Sequence, residues 1–226
     1  MKTHDRLSPG FFILSLAFIT CLLITNVVAG RLIALGSFTL TGDLFFFPLT
    51  YILGDVLTEV YGFRRTRLTI WAGLAANIFM AAVFMLLLRT PTPEFFDGNA
   101  AYVLVLGTTA RIVLASSAAY FLGEFVNSVV LSRLKLITQG RWLWLRTIAS
   151  SIVGQAVDTI TFMTIAFIGV YQPSALIPMI LVQYGFKLGY EVLATPFTCW
   201  LAVRMKRYEG EDHFDYGVKY NPFTLK

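Results

Sequence analysis

Asp55 and Glu59 stand one helical turn apart inside an apolar run, Leu44 to Tyr61, that is long enough to cross a bilayer. A carboxylate at the centre of hydrocarbon costs about 2.5–3.5 kcal/mol on insertion scales, so such a group normally faces a partner, a water-filled cavity or a substrate. Glu124, Asp158 and Glu191 lie in apolar runs of the same kind. Asp55 and Glu124 each precede a basic residue by nine positions (Arg64 and Arg133). At about 1.5 Å per residue this puts them roughly 13 Å from the inner boundary. Asp158 lies twelve residues after Arg146 and Glu191 thirteen before Arg204, roughly 18–20 Å in. The hydrocarbon core is about 30 Å thick, so four acids on four helices fall near its middle. That pattern implies one shared polar site.

Helical spacing assigns neighbours to these acids. Tyr51, Asp55 and Glu59 share a face, as do Gln155, Asp158, Thr159 and Phe162. Glu124, Asn127 and Ser128 form a third face, and Gln183, Lys187 and Glu191 a fourth, with Lys187 in reach of Glu191 one turn away. Glu59 sits nearer the basic inner loops and is expected to pair with their arginines. Five carboxyls against two intramembrane bases, Lys187 and Arg111, leave an excess that must be protonated, bound to cations or open to water. The residues best suited to hold a small polar solute are Asp55, Asp158 and Lys187, followed by Glu59, Glu124, Gln155, Glu191, Tyr51 and Asn127. Asn26 and Asn77 add one amide each to the first and third spans. The competing reading is that these groups, above all the amides and hydroxyls, join helices by interhelical hydrogen bonds. Small residues four apart mark close packing: Ala115, Ala119 and Gly123; Ser150 and Gly154; Gly185 and Gly189.

The elements that position these residues follow from composition. The chain has 226 residues, 57% hydrophobic and 14% charged, with mean hydropathy +0.70, where soluble domains carry about a quarter charged residues. We read an all-α, polytopic membrane protein forming a single transmembrane domain. Six spans are expected, at roughly 9–30, 43–62, 68–88, 102–131, 147–171 and 176–203. Fourteen basic residues fall in the two termini and the connectors at 62–67 and 132–146, against Arg31 and Arg89 in the others. The positive-inside rule then places both termini in the cytoplasm. The same clustering argues against nucleic-acid binding as the source of the net charge of +5. The first run follows Lys2 and Arg6 and ends at Val27-Val28-Ala29-Gly30; it is long enough to be an uncleaved span, with a signal peptide as the alternative. Trp71, Trp142 and Trp144 beside basic residues read as interfacial anchors. The tail from Glu209 is expected to lie along the inner surface or to be partly disordered. Gly54-Asp55-x-x-Thr58 and Gly123-Glu124-x-x-Asn127 form a faint internal echo, each followed by an arginine at the same distance.

Other chemistries find little support. His4 and His213 are the two histidines, both outside the spans, and Cys21 and Cys199 lie at different depths, so neither a zinc site nor a disulfide is expected. No nucleotide-binding glycine loop or nucleophile elbow is present, and no cofactor is implied. Leu53-Gly54-Asp55 is half of the Gly-x-Gly-Asp motif of intramembrane aspartyl proteases, which makes an aspartyl hydrolase using Asp55 and Asp158 the alternative from a different class.

Three stretches together resemble the bacterial queuosine precursor transporter family, also described as vitamin-uptake-like: Phe47-Pro48-Leu49-Thr50-Tyr51, Gly54-Asp55-Val56-Leu57-Thr58-Glu59-Val60-Tyr61-Gly62, and Gly154-Gln155-Ala156-Val157-Asp158-Thr159. The resemblance implies a multi-pass protein of the bacterial inner membrane. It would import a modified 7-deazaguanine base, in its 7-cyano or 7-aminomethyl form, for tRNA queuosine modification. The residues are compatible with that cargo. A guanine-like edge offers adjacent N–H donors that a carboxylate accepts together. Lys187, Gln155 or Asn127 could donate to its carbonyl, and Phe45, Phe46, Phe47 or Tyr51 could stack on the ring. The partners implied are this small molecule and membrane lipid. A homo-oligomer, and a role as the substrate-binding subunit of a multi-component vitamin importer, stay open.

Overall fold

The structure is a computed structural model that describes residues 8–28, 31–35, 38–107, 110–169, 172–210 and 212–223. Among the described residues there are seven helices: α1 (Pro9–Val28), α2 (Phe47–Tyr61), α3 (Phe63–Leu88), α4 (Asn99–Leu106), α5 (Ala110–Ile137), α6 (Leu143–Phe167) and α7 (Pro173–Glu209). Between α1 and α2 the chain forms an antiparallel hairpin of β1 (Leu32–Leu35) and β2 (Phe38–Thr41), followed by a single 3-10 turn at Gly42–Phe45. The hairpin is an addition to the expected all-helical chain, in the connector after the first span.

The helices α1 and α3, α5 from Leu114 and the whole of α6 are long and apolar enough to cross a membrane. The expected fourth span at 102–131 is divided: α4 closes at Gly107 and α5 begins anew at Ala110. The last helix spans 37 residues, about 55 Å, longer than a hydrocarbon core is thick, and carries Lys206 and Arg207 in its last turn. Its polar residues keep it from being apolar throughout.

The bundle is built around α2. Twelve of its fifteen residues are buried, acids included, so it is covered on all sides rather than along one stripe. On α1, Phe11, Leu14, Phe18 and Leu22 face inward at three- and four-residue spacing, whereas Phe12, Ile13 and Leu16 are exposed. Exposed large apolar side chains recur on α3, α6 and α7, as a lipid-facing surface requires. Gly62 separates α2 from α3 at φ 80°, a conformation that costs glycine little, and a Cβ there would meet Asp215 Oδ1 at 2.8 Å.

The most extensive helix–helix interface joins α5 and α6. Ala115 and Ala119 are buried in the row that leads to Gly123. A Cβ on Gly154 would lie 2.7 Å from Asn127 Cβ, so the two backbones touch at this level. The other predicted row behaves differently: a Cβ at Gly185 or Gly189 meets nothing within 4 Å, so it packs no helix among the described residues. Ser116, Asn26, Asn77 and Ser117 form a continuous chain of hydrogen bonds joining α1, α3 and α5. These amides are helix-to-helix ties, as the competing reading expected.

Candidate functional site

Four helices bring their polar faces together inside the bundle. Tyr51 and Asp55 come from α2, Glu124 and Asn127 from α5, Gln155 and Asp158 from α6, and Lys187 and Glu191 from α7; all eight are buried. Asp55 is within electrostatic reach of Glu191, Glu124 and Glu59, and Glu124 within reach of Asp158 and Glu191. Tyr51 senses Asp158, Glu124, Glu191 and Asp55 together. Asp55, Glu124, Asp158 and Glu191 therefore form one cluster in space.

The direct contacts within it are few. Asn127 Nδ2 donates to Asp55 Oδ1 at 2.7 Å. Lys187 Nζ lies 2.8 Å from Asp158 Oδ2 and 3.7 Å from the centre of the Phe47 ring. This corrects the expected pairing of Lys187 with Glu191: the partner is on α6, across the helix interface. Phe47 packs on Tyr51 with ring centres 5.1 Å apart. Phe46 is 41% exposed, and the side chains of Phe45 and Arg111 lie outside the described residues.

Much of the cluster's hydrogen-bonding capacity is unspent. The buried atoms without a hydrogen-bond partner among the described residues include Tyr51 Oη, Asp55 Oδ2, Glu124 Oε1, Asn127 Oδ1, Gln155 Oε1, Thr159 Oγ1 and both Glu191 oxygens. Buried polar atoms are normally paired, and leaving one unpaired costs about 1–3 kcal/mol. The set is lopsided. Its carboxylate and amide oxygens only accept, the Tyr51 and Thr159 hydroxyls can act either way, and Asn127 has given one of its two amide N–H groups to Asp55. Such a set complements a ligand that brings N–H donors.

Two further hydroxyls belong here that sequence reasoning passed over. Thr147 and Ser151 on α6 are buried, with hydroxyls that lack a partner among the described residues. Ser151 stands beside Glu191. With Gln155 and Thr159 they form a stripe of four-residue spacing, and that stripe was the available signal.

Glu59 has a different setting. Its Oε1 accepts from Lys206 Nζ at 2.6 Å and Arg146 Nη2 at 2.8 Å, and lies 3.6 Å from Lys135 Nζ. Lys135 also binds Asp212 at 2.6 Å and the Glu59 and His213 carbonyls. The arginine pairing expected for Glu59 is present in Arg146, joined by two lysines. Burial alone would raise the Asp212 carboxyl, but hydrogen bonds and charge from Lys135 and Lys206 outweigh it and hold the group below its ordinary value. The knot ties α2, α5, α6, α7 and the tail at the basic end. The tail itself is docked: Asp215 Oδ2 accepts from Phe63 N at 2.8 Å and Ser132 Oγ at 2.5 Å, and Trp71 Nε1 donates to the Pro222 carbonyl. Among the described residues no group of His, Cys, Asp and Glu side chains is arranged to hold a metal ion.

Comparison with known proteins adds independent findings. The family described as "Putative vitamin uptake transporter" matches residues 41–201. The "Probable queuosine precursor transporter" of Bacillus subtilis is 24% identical over 76% of this chain and 76% of its own length. The "Queuosine precursor transporter" of Escherichia coli is 28% identical over 70% and 69%. A Haemophilus influenzae protein described as "Probable queuosine precursor transporter" is 27% identical over 61% and 58%. No solved structure matches the chain.

Proposed function

The chain belongs to this family of vitamin-uptake transporters, and from that premise we propose that it imports a queuosine precursor, a 7-deazaguanine base, through the polar cluster between α2, α5, α6 and α7. It is a multi-pass bacterial membrane protein whose relatives are transporters.

The observation that carries the substrate reading is the excess of unpaired acceptors. Asp55 Oδ2, Glu124 Oε1, Asn127 Oδ1, Gln155 Oε1 and the Glu191 oxygens accept no close hydrogen bond among the described residues. The guanine-type edge of a 7-deazaguanine supplies adjacent N–H groups of that kind, which Asp55 or Asp158 accepts as a pair. Lys187, Asn127 or Gln155 serves the base carbonyl, Tyr51 and Phe47 line the ring, and Glu124 and Glu191 set the charge that favours a cationic aminomethyl form. Glu59, enclosed by three bases, holds the inner ends of the helices rather than the substrate. The topology that fits is six crossings with both termini cytoplasmic, since fourteen of the basic residues fall in the termini and the connectors at 62–67 and 132–146.

The test is uptake of labelled 7-cyano-7-deazaguanine into vesicles containing the purified chain and no ATP. Saturable uptake blocked by unlabelled base is expected, as is its loss in Asp55→Asn and Asp158→Asn. Uptake only with an ATP-driven partner would assign the chain to a multi-component importer. Peptide cleavage abolished by the same substitutions would make it a hydrolase.

A further inference from the structure

Phe47, Asp158 and Lys187 come from three different helices and meet at one nitrogen atom. The Lys187 ammonium lies 2.8 Å from Asp158 Oδ2 and 3.7 Å from the centre of the Phe47 ring. An aromatic face and a carboxylate separated by a single ammonium are also what a flat base needs, since its ring would stack on Phe47 while its edge N–H groups bonded to Asp158. The two occupants exclude each other.

We propose that Lys187 is a tethered occupant of the base seat, and that the base enters as the Lys187 ammonium passes from Asp158 to Glu191. The proposal rests on the transport reading above and names how the substrate gains its place. Lys187 is buried, and an ammonium there cannot be left without a counter-charge. The next acceptor along its own helix is Glu191, one turn away, buried, beside the Ser151 hydroxyl and without an ion pair among the described residues. A lysine side chain swings on a flexible four-carbon stem, so the exchange requires no movement of α7. Net charge is unchanged by the exchange and no proton moves: the ammonium neutralises Asp158 before entry and Glu191 afterwards, and the N–H donors of the base meet the carboxylate that the ammonium leaves. Selectivity follows, because a ligand must replace both contacts of the ammonium. A flat ring without donors leaves Asp158 unmet, and a simple cation without a ring gains nothing over Lys187.

A double-substitution cycle read by calorimetric titration of the purified full chain with 7-cyano-7-deazaguanine tests this. Glu191→Gln is expected to weaken base binding about tenfold or more when Lys187 is present, and by about twofold or less in a Lys187→Met background. Equal loss in both backgrounds would mean that Glu191 touches the base itself, and no loss in either would mean that Lys187 does not move there; each outcome overturns the proposal. A second arm uses ethylammonium as the probe. Lys187→Ala is expected to bind it at least about tenfold more tightly than the unsubstituted protein, in competition with the base. Ethylammonium that binds the variant without affecting a bound base would place the Lys187 seat elsewhere. Failure of the base to bind the unsubstituted protein would instead defeat the transport reading, whatever the amine does.

Discussion

Gly123 on α5 and Asp158 on α6 are in backbone contact: a Cβ on Gly123 would sit 2.7 Å from Asp158 Cβ. The acid that pairs with Lys187 is therefore seated by a missing side chain on the facing helix. Gly154 does the same for Asn127, the donor to Asp55. The two glycines thus set the positions of Asp158 and of the Asn127 amide. Gly123→Ala should destabilise the protein by about 1–3 kcal/mol through overpacking. Its melting temperature in detergent should fall, and Gly154→Ala should behave alike.

Glu59 holds three bases at once in a setting 1% exposed. Removing one member of a buried ion pair typically costs about 3–5 kcal/mol because the other charge is left uncompensated. Glu59→Ala should therefore cost that much in chemical denaturation. Asp212→Asn, at a half-exposed partner of the same knot, should cost under about 1 kcal/mol.

Asp212 also gives the knot a pH dependence of known sign. Its carboxyl is held below the ordinary value of 3.8 in the folded protein. Its contribution is present above that value and is lost as pH falls through the lowered one. A spin label at the exposed Lys219 should report a looser tail as pH drops below 3.8, and Asp212→Asn should remove the part of that change due to this group.

Asp215 accepts a backbone N–H at the start of α3 and a hydroxyl from α5. Asp215→Ala leaves the Phe63 N–H buried and unpaired, at a cost of about 1–3 kcal/mol. Protease should cleave the tail faster in this variant, and the melting temperature should fall.

What the sequence could reveal was set by the range of the interactions. Helix rise alone placed Asp55, Glu124, Asp158 and Glu191 at one level, because depth is a local property of each helix. Helix faces likewise grouped Tyr51 with Asp55 and Gln155 with Asp158. The partner of Lys187 was misjudged, since spacing sees only the same helix and Asp158 lies 29 residues away. The docked tail was equally hidden: Asp215 bonds to a backbone N–H 152 residues before it, and nothing in its local sequence records that. The division of the fourth predicted span at Gly107 escaped because the apolar run continues on both sides of it. The rows of small residues were visible, but which had a neighbour was not, and Gly185 and Gly189 have none among the described residues.

The central claim is that the acceptor-rich cluster receives a 7-deazaguanine base, and direct titration of the purified protein tests it. Saturable binding of 7-cyano-7-deazaguanine without binding of biotin is predicted, with Asp55→Asn weakening it about 10- to 150-fold, the value of one charge-assisted hydrogen bond. Binding of biotin without binding of the deazaguanine would contradict the account.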